Sequence, residues 1–308
     1  MEQKIAVLIP CYNEEKTIKK VALSFQKELP NAQIYIYNNN STDKTLKIAN
    51  SIPNVIVRNE YKQGKGNVVR KMFQEIDADI YVMVDGDNTY PAKAVHKLIE
   101  PIINKEADMV VGDRLSNGTY KYENKRKFHF LGNQLVKNII NILFKSKLND
   151  IMSGYRVFNK KLVKSIPILS EGFELETELT LSCLDKRYII KEIPINYKDR
   201  PKGSVSKLNT FKDGFKVLKT IFKIYKNYKP FRFFCLLSLF FLILGLTVGI
   251  PVIIEFIKTS YITKIPSSIL ATGLILMSCI SFQSGLILDT IVKNNKENYE
   301  LSILNKKD

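Results

Sequence analysis

The chain has 308 residues, of which 45% are hydrophobic and 25% are charged, and its formal net charge is +17. This length suits one large domain or two ordinary ones, and the scattered cysteines, none in a CxxC pair, predict reduced thiols. The positive charge does not indicate a nucleic-acid partner, because the lysines crowd beside uncharged segments near the C-terminus.

Short apolar segments alternate with helical patterns over the first 114 residues. The predicted strands are KIAVLIP, QIYIY, NVIVRN, DIYVMVDGD and DMVVGDR. Helices are expected after Asn13, which we expect to cap the first one, and then near Lys44, Gly64 and Pro91. This alternation predicts an α/β domain with a mostly parallel sheet and helices on both of its faces.

The C-terminal third predicts a membrane anchor. Residues 233–254 and 269–288 carry no charge, and each segment is long enough to cross roughly 30 Å of hydrocarbon. The lysines before and after this pair predict a multi-pass protein of the cell (inner or plasma) membrane with both termini in the cytoplasm. The expected boundaries are a cytoplasmic domain at 1–207, a basic amphipathic helix in the membrane interface at 208–230, a two-helix hairpin at 231–292 and a tail at 293–308.

A second amphipathic pattern, KFHFLGNQLVKNIINILF, follows a basic cluster that includes Arg126. Its apolar face suits either the membrane interface or packing against the sheet, and the pattern alone does not decide between them.

Polar clusters follow three of the predicted strands. They are Tyr12–Glu14, Asn38–Asp43 and Asp85–Asp87. In open α/β sheets, ligands bind outside the carboxyl ends of the strands, so these clusters predict a binding edge. The asparagine run fits a surface turn, a glycosylation acceptor or a ligand-binding loop. Its expected cytoplasmic placement argues against glycosylation, and the polar clusters expected at the same edge favour a ligand-binding loop.

Two carboxylates separated by one glycine, Asp85 and Asp87, suit Mg²⁺ or Mn²⁺, because such ions bind one or two carboxylates together with phosphate oxygens. Lys65 lies between two glycines at a helix start. That loop fits either a phosphate contact through backbone N–H groups or a flexible basic turn.

The segment DRPKGSVSK follows a further predicted strand, YIIKEIPINY, and contains a compact group of anion-binding side chains near the predicted membrane surface. The alternative is that these basic residues do not form an anion site and only add to the positive charge beside the membrane. The acidic run FELETEL fits a helix start, where carboxylates are favourable. The alternative is that Glu174, Glu176 or Glu178 acts as a catalytic base. His96 and His129 have no metal-ligand spacing and are expected to be structural.

Eight motifs occur in an order that resembles family 2 glycosyltransferases of the A-type fold. They are IPCYNEE, NNNSTDKT, GKGNVVRK, DGDNTYP, VVGDR, SGYRVF, FELETEL and RPKGSVSK. The last four, with the two uncharged segments, are similar to the polyprenyl-phosphate branch, which includes dolichyl-phosphate mannosyltransferases.

The resemblance implies site residues for a nucleotide-sugar donor and a polyprenyl-phosphate acceptor. It assigns catalysis to Asp85, Asp87, Arg114 and Arg200, with the two aspartates holding the metal. The nucleotide would be held by Pro10, Tyr12, Glu14, Asn38, Asn40, Asp43 and Lys65, and the acceptor phosphate by Arg126, Arg156, Arg200, Lys202, Ser204 and Lys207.

Asn38–Asn40 departs from the Asp-Asp-Gly that relatives often have. An asparagine oxygen still accepts a hydrogen bond from a base, while its amide also donates, so the base preference is left open. Asn40 replaces glycine without strain if its backbone is left-handed.

The expected reaction is transfer of one sugar, with inversion, to a lipid phosphate at the cytoplasmic membrane face. The acceptor is already an anion and needs no strong base. One alternative is a hydroxyl acceptor, for which Glu174, Glu176 or Asp150 would be the base. Another is a membrane scaffold that binds nucleotide without turnover. The sugar, the base, the lipid length and a homo-oligomeric state are left open.

Overall fold

The computed structural model describes residues 3–118, 127–172, 174–199, 219 and 222–304. The chain divides into two compact units, Met1–Gly214 and Phe215–Asp308. Most of the predicted helix at 208–230 lies outside the described residues, although 222–228 are helical. Predicted phosphate-binding residues that also lie outside them are Arg126, Arg200, Lys202, Ser204 and Lys207.

The N-terminal unit alternates strands and helices as the sequence predicts. Its strands are β1 (Ile5–Cys11), β2 (Gln33–Asn38), β3 (Val55–Asn59), β4 (Ile80–Met83), β5 (Met109–Asp113), β6 (Arg156–Asn159) and β7 (Ile190–Pro194). Its helices are α1 (Ile18–Glu28), α2 (Thr45–Asn50), α3 (Lys65–Glu75), α4 (Val95–Ile103), α5 (Lys127–Phe144), α6 (Lys160–Val163) and α7 (Leu175–Asp185).

The strands form one sheet in the order β3-β2-β1-β4-β6-β5-β7. Only the two pairs that contain β6 are antiparallel. The predicted mostly parallel sheet is therefore confirmed. Strand order reverses beside β1, because β2 lies on one side of it and β4 on the other, and open sheets bind their ligands outside such a reversal.

Helices cover both faces of this sheet. Alternate strand residues point to opposite faces, and on one face Ile9 belongs to a buried cluster with Phe25 of α1 and Leu98 of α4. On the other face, Phe73 of α3 packs edge-on against Tyr81, with ring centroids 6.1 Å apart.

The start of α1 and the burial of α5 decide two expectations about helices. Thr17, not Asn13, precedes α1, so the predicted cap at Asn13 is wrong; Asn13 instead adopts a left-handed conformation with φ 54°. In α5, Val136 and Ile140 are buried, so this part of the apolar face packs against protein.

The C-terminal unit contains two helices that are long and apolar enough to cross a membrane. They are α8 (Pro230–Thr259) and α9 (Ile265–Leu304), with mean hydropathies of 2.6 and 1.8 over their most apolar stretches. The helices contact each other at small residues, and the hydroxyls of Ser238 and Ser278 lie 2.9 Å apart. The predicted tail from residue 293 continues α9 as far as Leu304.

Candidate active site

The carboxyl ends of β1, β2 and β3 lie level with one another. Cys11 is in register with Asn38, and Asn38 with Asn59. Pro10 fits near the end of β1 because the pairing with β4 stops at Leu8, so its missing N–H removes no sheet hydrogen bond. β4 is parallel to β1, with Met83 opposite Leu8, so it ends at the same edge. The polar clusters after β1, β2 and β4 therefore start from one edge.

Asn39, the middle asparagine, is a structural tie between two loops. Its side chain is buried, and its amide nitrogen donates to the carbonyls of Glu60 and Lys62 at 2.9 and 2.8 Å. Its oxygen accepts from the N–H of Gly64 at 2.7 Å and from the Gln63 amide at 3.2 Å. With these bonds made, Asn39 holds the loop after β2 against the loop after β3.

Asn38 and Asn40 differ from each other in exposure. Asn38 is buried; its amide donates to the Asn59 oxygen at 3.0 Å, and its own oxygen accepts from the N–H of Ser41 at 3.3 Å. Asn40 is exposed and has a φ of 55°, the left-handed conformation that the replacement of glycine requires. Asn40 donates to the Tyr61 carbonyl at 2.6 Å.

The loops after β1 and β2 are joined by hydrogen bonds. The Asn13 oxygen accepts from the N–H of Thr42 at 2.8 Å, and Asp43 accepts from the N–H groups of Thr45 and Glu15 at 2.9 and 3.2 Å. Burial acts to raise the pKa of Asp43, but the hydrogen bonds from Thr45 and Glu15 outweigh it and hold the pKa below its usual value. Asp43 thus braces the two loops as an anion.

The predicted carboxylate pair lies just beyond β4. Asp87 is buried, and its Oδ1 accepts from the N–H and the hydroxyl of Thr89 at 3.1 and 2.6 Å. Asp85 pairs with the Lys65 ammonium, which also contacts Glu176 Oε1 at 2.6 Å. Burial would lower the pKa of Lys65, but the two carboxylates raise it well above its ordinary value.

The glycines around Lys65 allow close packing of the backbone. A Cβ on Gly66 would lie 2.1 Å from the Ser170 carbonyl oxygen, and the Gly66 N–H donates to the Glu171 carbonyl at 3.0 Å. Gly64 has a φ of 130°, a conformation that side chains rarely adopt. The N–H groups of both glycines bind protein oxygens. The loop is therefore neither a phosphate contact through these N–H groups nor a flexible basic turn.

Arg114 lies directly after β5 and is held by Asp150. Its Nε and Nη2 donate to the two carboxylate oxygens at 2.7 and 2.8 Å, and its backbone N–H adds a third bond at 3.0 Å. Glu192 of β7 accepts from the N–H groups of Asn149 and Asp150 at 2.7 Å each. Sequence reasoning missed Glu192, because no local motif marks it.

Arg156 does not fit its predicted contact with phosphate. Its side chain is fully buried, and its guanidinium donates to the carbonyls of Ser153 and Ile151 and to the Thr180 hydroxyl. Burial lowers the pKa of this guanidinium. A phosphate could reach it only if these bonds broke, so we assign Arg156 a structural role.

The three glutamates before and within α7 have different surroundings. Glu178 accepts from the N–H groups of Leu169 and Ser170 at 2.8 Å each, so it braces the preceding loop. Glu176 pairs with Lys65, and Glu174 is exposed. Away from the site, His96 lies 3.2 Å from Glu28.

The carboxylates fit a divalent cation that brings further ligands with it. Among residues 3–118, 127–172, 174–199 and 222–304, no three His, Cys, Asp or Glu side chains form a metal-binding group. Asp85 and Asp87 supply hard oxygen donors on one turn. This suits a divalent ion whose remaining ligands are phosphate oxygens and water.

Comparison with known proteins identifies the domain that carries this site. The model of the family described as "Glycosyl transferase family 2" matches residues 6–166. "Glycosyltransferase AglJ" of Haloferax volcanii is 26% identical over 95% of each chain. "Dolichyl-phosphate hexose transferase" of the same organism is 28% identical over 71% of this chain and 93% of its own.

The fold has solved counterparts. The structure of glucosyl-3-phosphoglycerate synthase from Mycobacterium tuberculosis, in complex with Mn²⁺ and uridine-diphosphate-glucose, superimposes with a TM-score of 0.57 and 19% identity. It covers 73% of this chain and 78% of the other. This likeness concerns the fold, and the predicted A-type fold is confirmed.

Proposed function

Because this chain belongs to glycosyl transferase family 2, we propose that it transfers one sugar, with inversion, from a nucleotide-diphosphate sugar to a polyprenyl phosphate. The printed name of one relative, a dolichyl-phosphate hexose transferase, supports an acceptor of this class. The transfer would take place at the cytoplasmic face of the cell membrane, with α8 and α9 as the anchor.

The observation that carries the proposal is the state of the candidate bases. A hydroxyl acceptor needs a group to take its proton, whereas a phosphate is already ionised. Glu176 is paired with Lys65, and both oxygens of Asp150 accept bonds from Arg114. Glu178, a further candidate, accepts from two backbone N–H groups. Of the four candidate bases, only the Glu174 carboxylate is therefore without a charged or backbone partner among the described residues, which favours an acceptor that needs no base.

Donor binding would use the edge formed by the loops after β1, β2 and β4. The proposed nucleotide contacts remain Pro10, Tyr12, Glu14, Asn38, Asn40 and Asp43. The predicted contact of Lys65 is not kept, because its ammonium is held by Asp85 and Glu176. Asp85 and Asp87 would hold Mg²⁺ or Mn²⁺, and the solved counterpart with Mn²⁺ and uridine-diphosphate-glucose supports an ion in this fold. When bound, the ion would offset the negative charge of the leaving diphosphate.

The chain's own residues would position the reacting groups. Asp150 holds the Arg114 guanidinium in a two-bond fork, which fixes the orientation of this group at the end of β5. Arg200, Lys202, Ser204 and Lys207, with Arg126, would receive the acceptor phosphate. Catalysis would then rest on orientation and on charge stabilisation of the leaving group.

The test is a screen of nucleotide sugars with a short polyprenyl phosphate, read by mass spectrometry on the purified full chain. We expect one donor to give a sugar–lipid phosphate product, and Asp87→Asn to lose it, because several kcal/mol of leaving-group stabilisation would be removed. Glu174→Gln is expected to retain transfer.

Two outcomes would contradict the proposal. Product formation only with a hydroxyl acceptor, together with an inactive Glu174→Gln, would point to the exposed glutamate as a base. Nucleotide binding without any transfer or hydrolysis, with or without Mg²⁺ or Mn²⁺, would favour the scaffold instead.

A further inference from the structure

The Lys65 ammonium is shared between two acidic side chains. It contacts Asp85 Oδ1 on one side and Glu176 Oε1 at 2.6 Å on the other. The three side chains are 11%, 28% and 7% exposed for Lys65, Asp85 and Glu176, so solvent screens these contacts only in part. A Cβ on Gly154 would lie 2.4 Å from Asp85 Oδ2 and 3.1 Å from Lys65 Nζ, which shows how closely the group is enclosed.

The backbone fixes where Lys65 and Glu176 can reach. Lys65 begins α3 beside Gly66, whose N–H binds the Glu171 carbonyl. Glu176 lies in the first turn of α7, two residues before Glu178, which accepts from the N–H of Ser170. The same segment, residues 170–171, thus ties α3 to α7 and holds the ammonium between its two partners.

We propose that Lys65 competes with the divalent cation for Asp85, and that Glu176 retains the ammonium when the cation is bound. Before the ion enters, the ammonium neutralises a carboxylate that would otherwise face Glu176 with like charge. Once an ion takes Asp85, the repulsion between two cations displaces Lys65, and Glu176 offers it a contact already made. This inference rests on the metal site of the proposed function.

The test measures Mn²⁺ binding to the purified full chain without nucleotide, by the electron paramagnetic resonance signal of free Mn²⁺. Lys65→Met should bind Mn²⁺ about tenfold more tightly or better, because a competing positive charge is removed. Glu176→Gln should bind it several-fold more weakly, because Lys65 is then left on Asp85 alone. Glu176→Gln keeps the shape of the side chain, so it remains a test if Lys65→Met does not fold. Mn²⁺ affinity equal to or higher than that of the unaltered chain would then refute the proposal.

Two comparisons separate competition from general charge effects. Lys71→Met, the same change on the same helix, removes an ammonium that lies 3.6 Å from Glu60, and it should leave Mn²⁺ affinity unchanged. In the double variant that combines Lys65→Met with Glu176→Gln, Mn²⁺ affinity should stay close to that of Lys65→Met alone, since Glu176 acts through Lys65.

The failure of the inference and the failure of the metal site look different. If Asp87→Asn binds Mn²⁺ as the unaltered chain does, the proposed metal site is wrong and the inference falls with it. If Asp87→Asn abolishes binding but Lys65→Met leaves it equal or weaker, the metal site stands and the competition is refuted. Additive effects of Lys65→Met and Glu176→Gln would also refute it.

Discussion

Replacing Asp150 with asparagine is expected to destabilise the N-terminal unit strongly. The side chains of Arg114 and Asp150 are 11% and 1% exposed, and the pair makes two side-chain bonds at 2.7 and 2.8 Å. Asparagine removes the negative charge and turns an NH₂ group toward donors. The Arg114 guanidinium is then left buried without its counter-ion.

The magnitude follows from the burial. Removing one member of a buried ion pair costs about 3 kcal/mol or more. For a unit of this size that corresponds to a fall of roughly 6–12 °C in the unfolding midpoint. The assay is thermal unfolding of the detergent-solubilised full chain at neutral pH, followed by near-ultraviolet circular dichroism.

A matched control is Asp77→Asn. Asp77 also pairs with a basic residue, Lys160, at 2.8 Å, but its side chain is 67% exposed. Exposed ion pairs contribute little to stability, so the midpoint should stay close to that of the unaltered chain. Equal midpoints for the Asp150 and Asp77 variants would refute the view that Asp150 is the buried counter-ion of Arg114.

Three further results are expected. Arg200→Lys should weaken use of the lipid phosphate by about 1–3 kcal/mol, because the two-bond guanidinium fork is lost. Calorimetry without acceptor should show nucleotide affinity unchanged, and equal losses of acceptor use and nucleotide affinity would contradict the assignment of Arg200 to the acceptor. Asp43→Asn should lower the unfolding midpoint at pH 7, because the stability from a depressed pKa is fully present above the unfolded value of 3.8 and is lost as the pH falls through the folded pKa. The difference in midpoint should therefore shrink below pH 3.8, and a constant difference would contradict this prediction. Lys258 and Lys264 should react with an impermeant label on sealed cells, and protection of both would reverse the proposed orientation.

Much of the N-terminal unit could be predicted because its signals are local. Each of the five strands predicted over the first 114 residues is a run of apolar residues that ends in polar ones. These five strands run in the same direction in one sheet, which brings those ends to one edge. The strand β6, which begins at Arg156, was not predicted: it is short, and what holds it is pairing with β4 and β5, which lie far from it in sequence.

The roles of individual side chains were harder to predict because their partners are distant in the chain. Asn39 looks like a ligand-binding residue beside its two neighbours, but its partners at residues 60–64 make it a tie between loops. Lys65 suits phosphate by its charge, but Glu176 is 111 residues away in sequence and only the fold brings it within reach.

The antiparallel strand β6 sets the width of the site. Because β6 lies between β4 and β5, the carboxyl ends of those two strands are separated by two strand spacings, about 10 Å. Asp85 and Asp87 start from one side of this gap and Arg114 from the other, while the chain enters β6 between them through Gly154 and Tyr155. Gly154 lies against Asp85 and Lys65, and Arg156 donates to the carbonyls of Ser153 and Ile151. Insertions or deletions in that entry segment would therefore displace the charged groups on both sides of the gap, so the length of this segment limits how far the site can change.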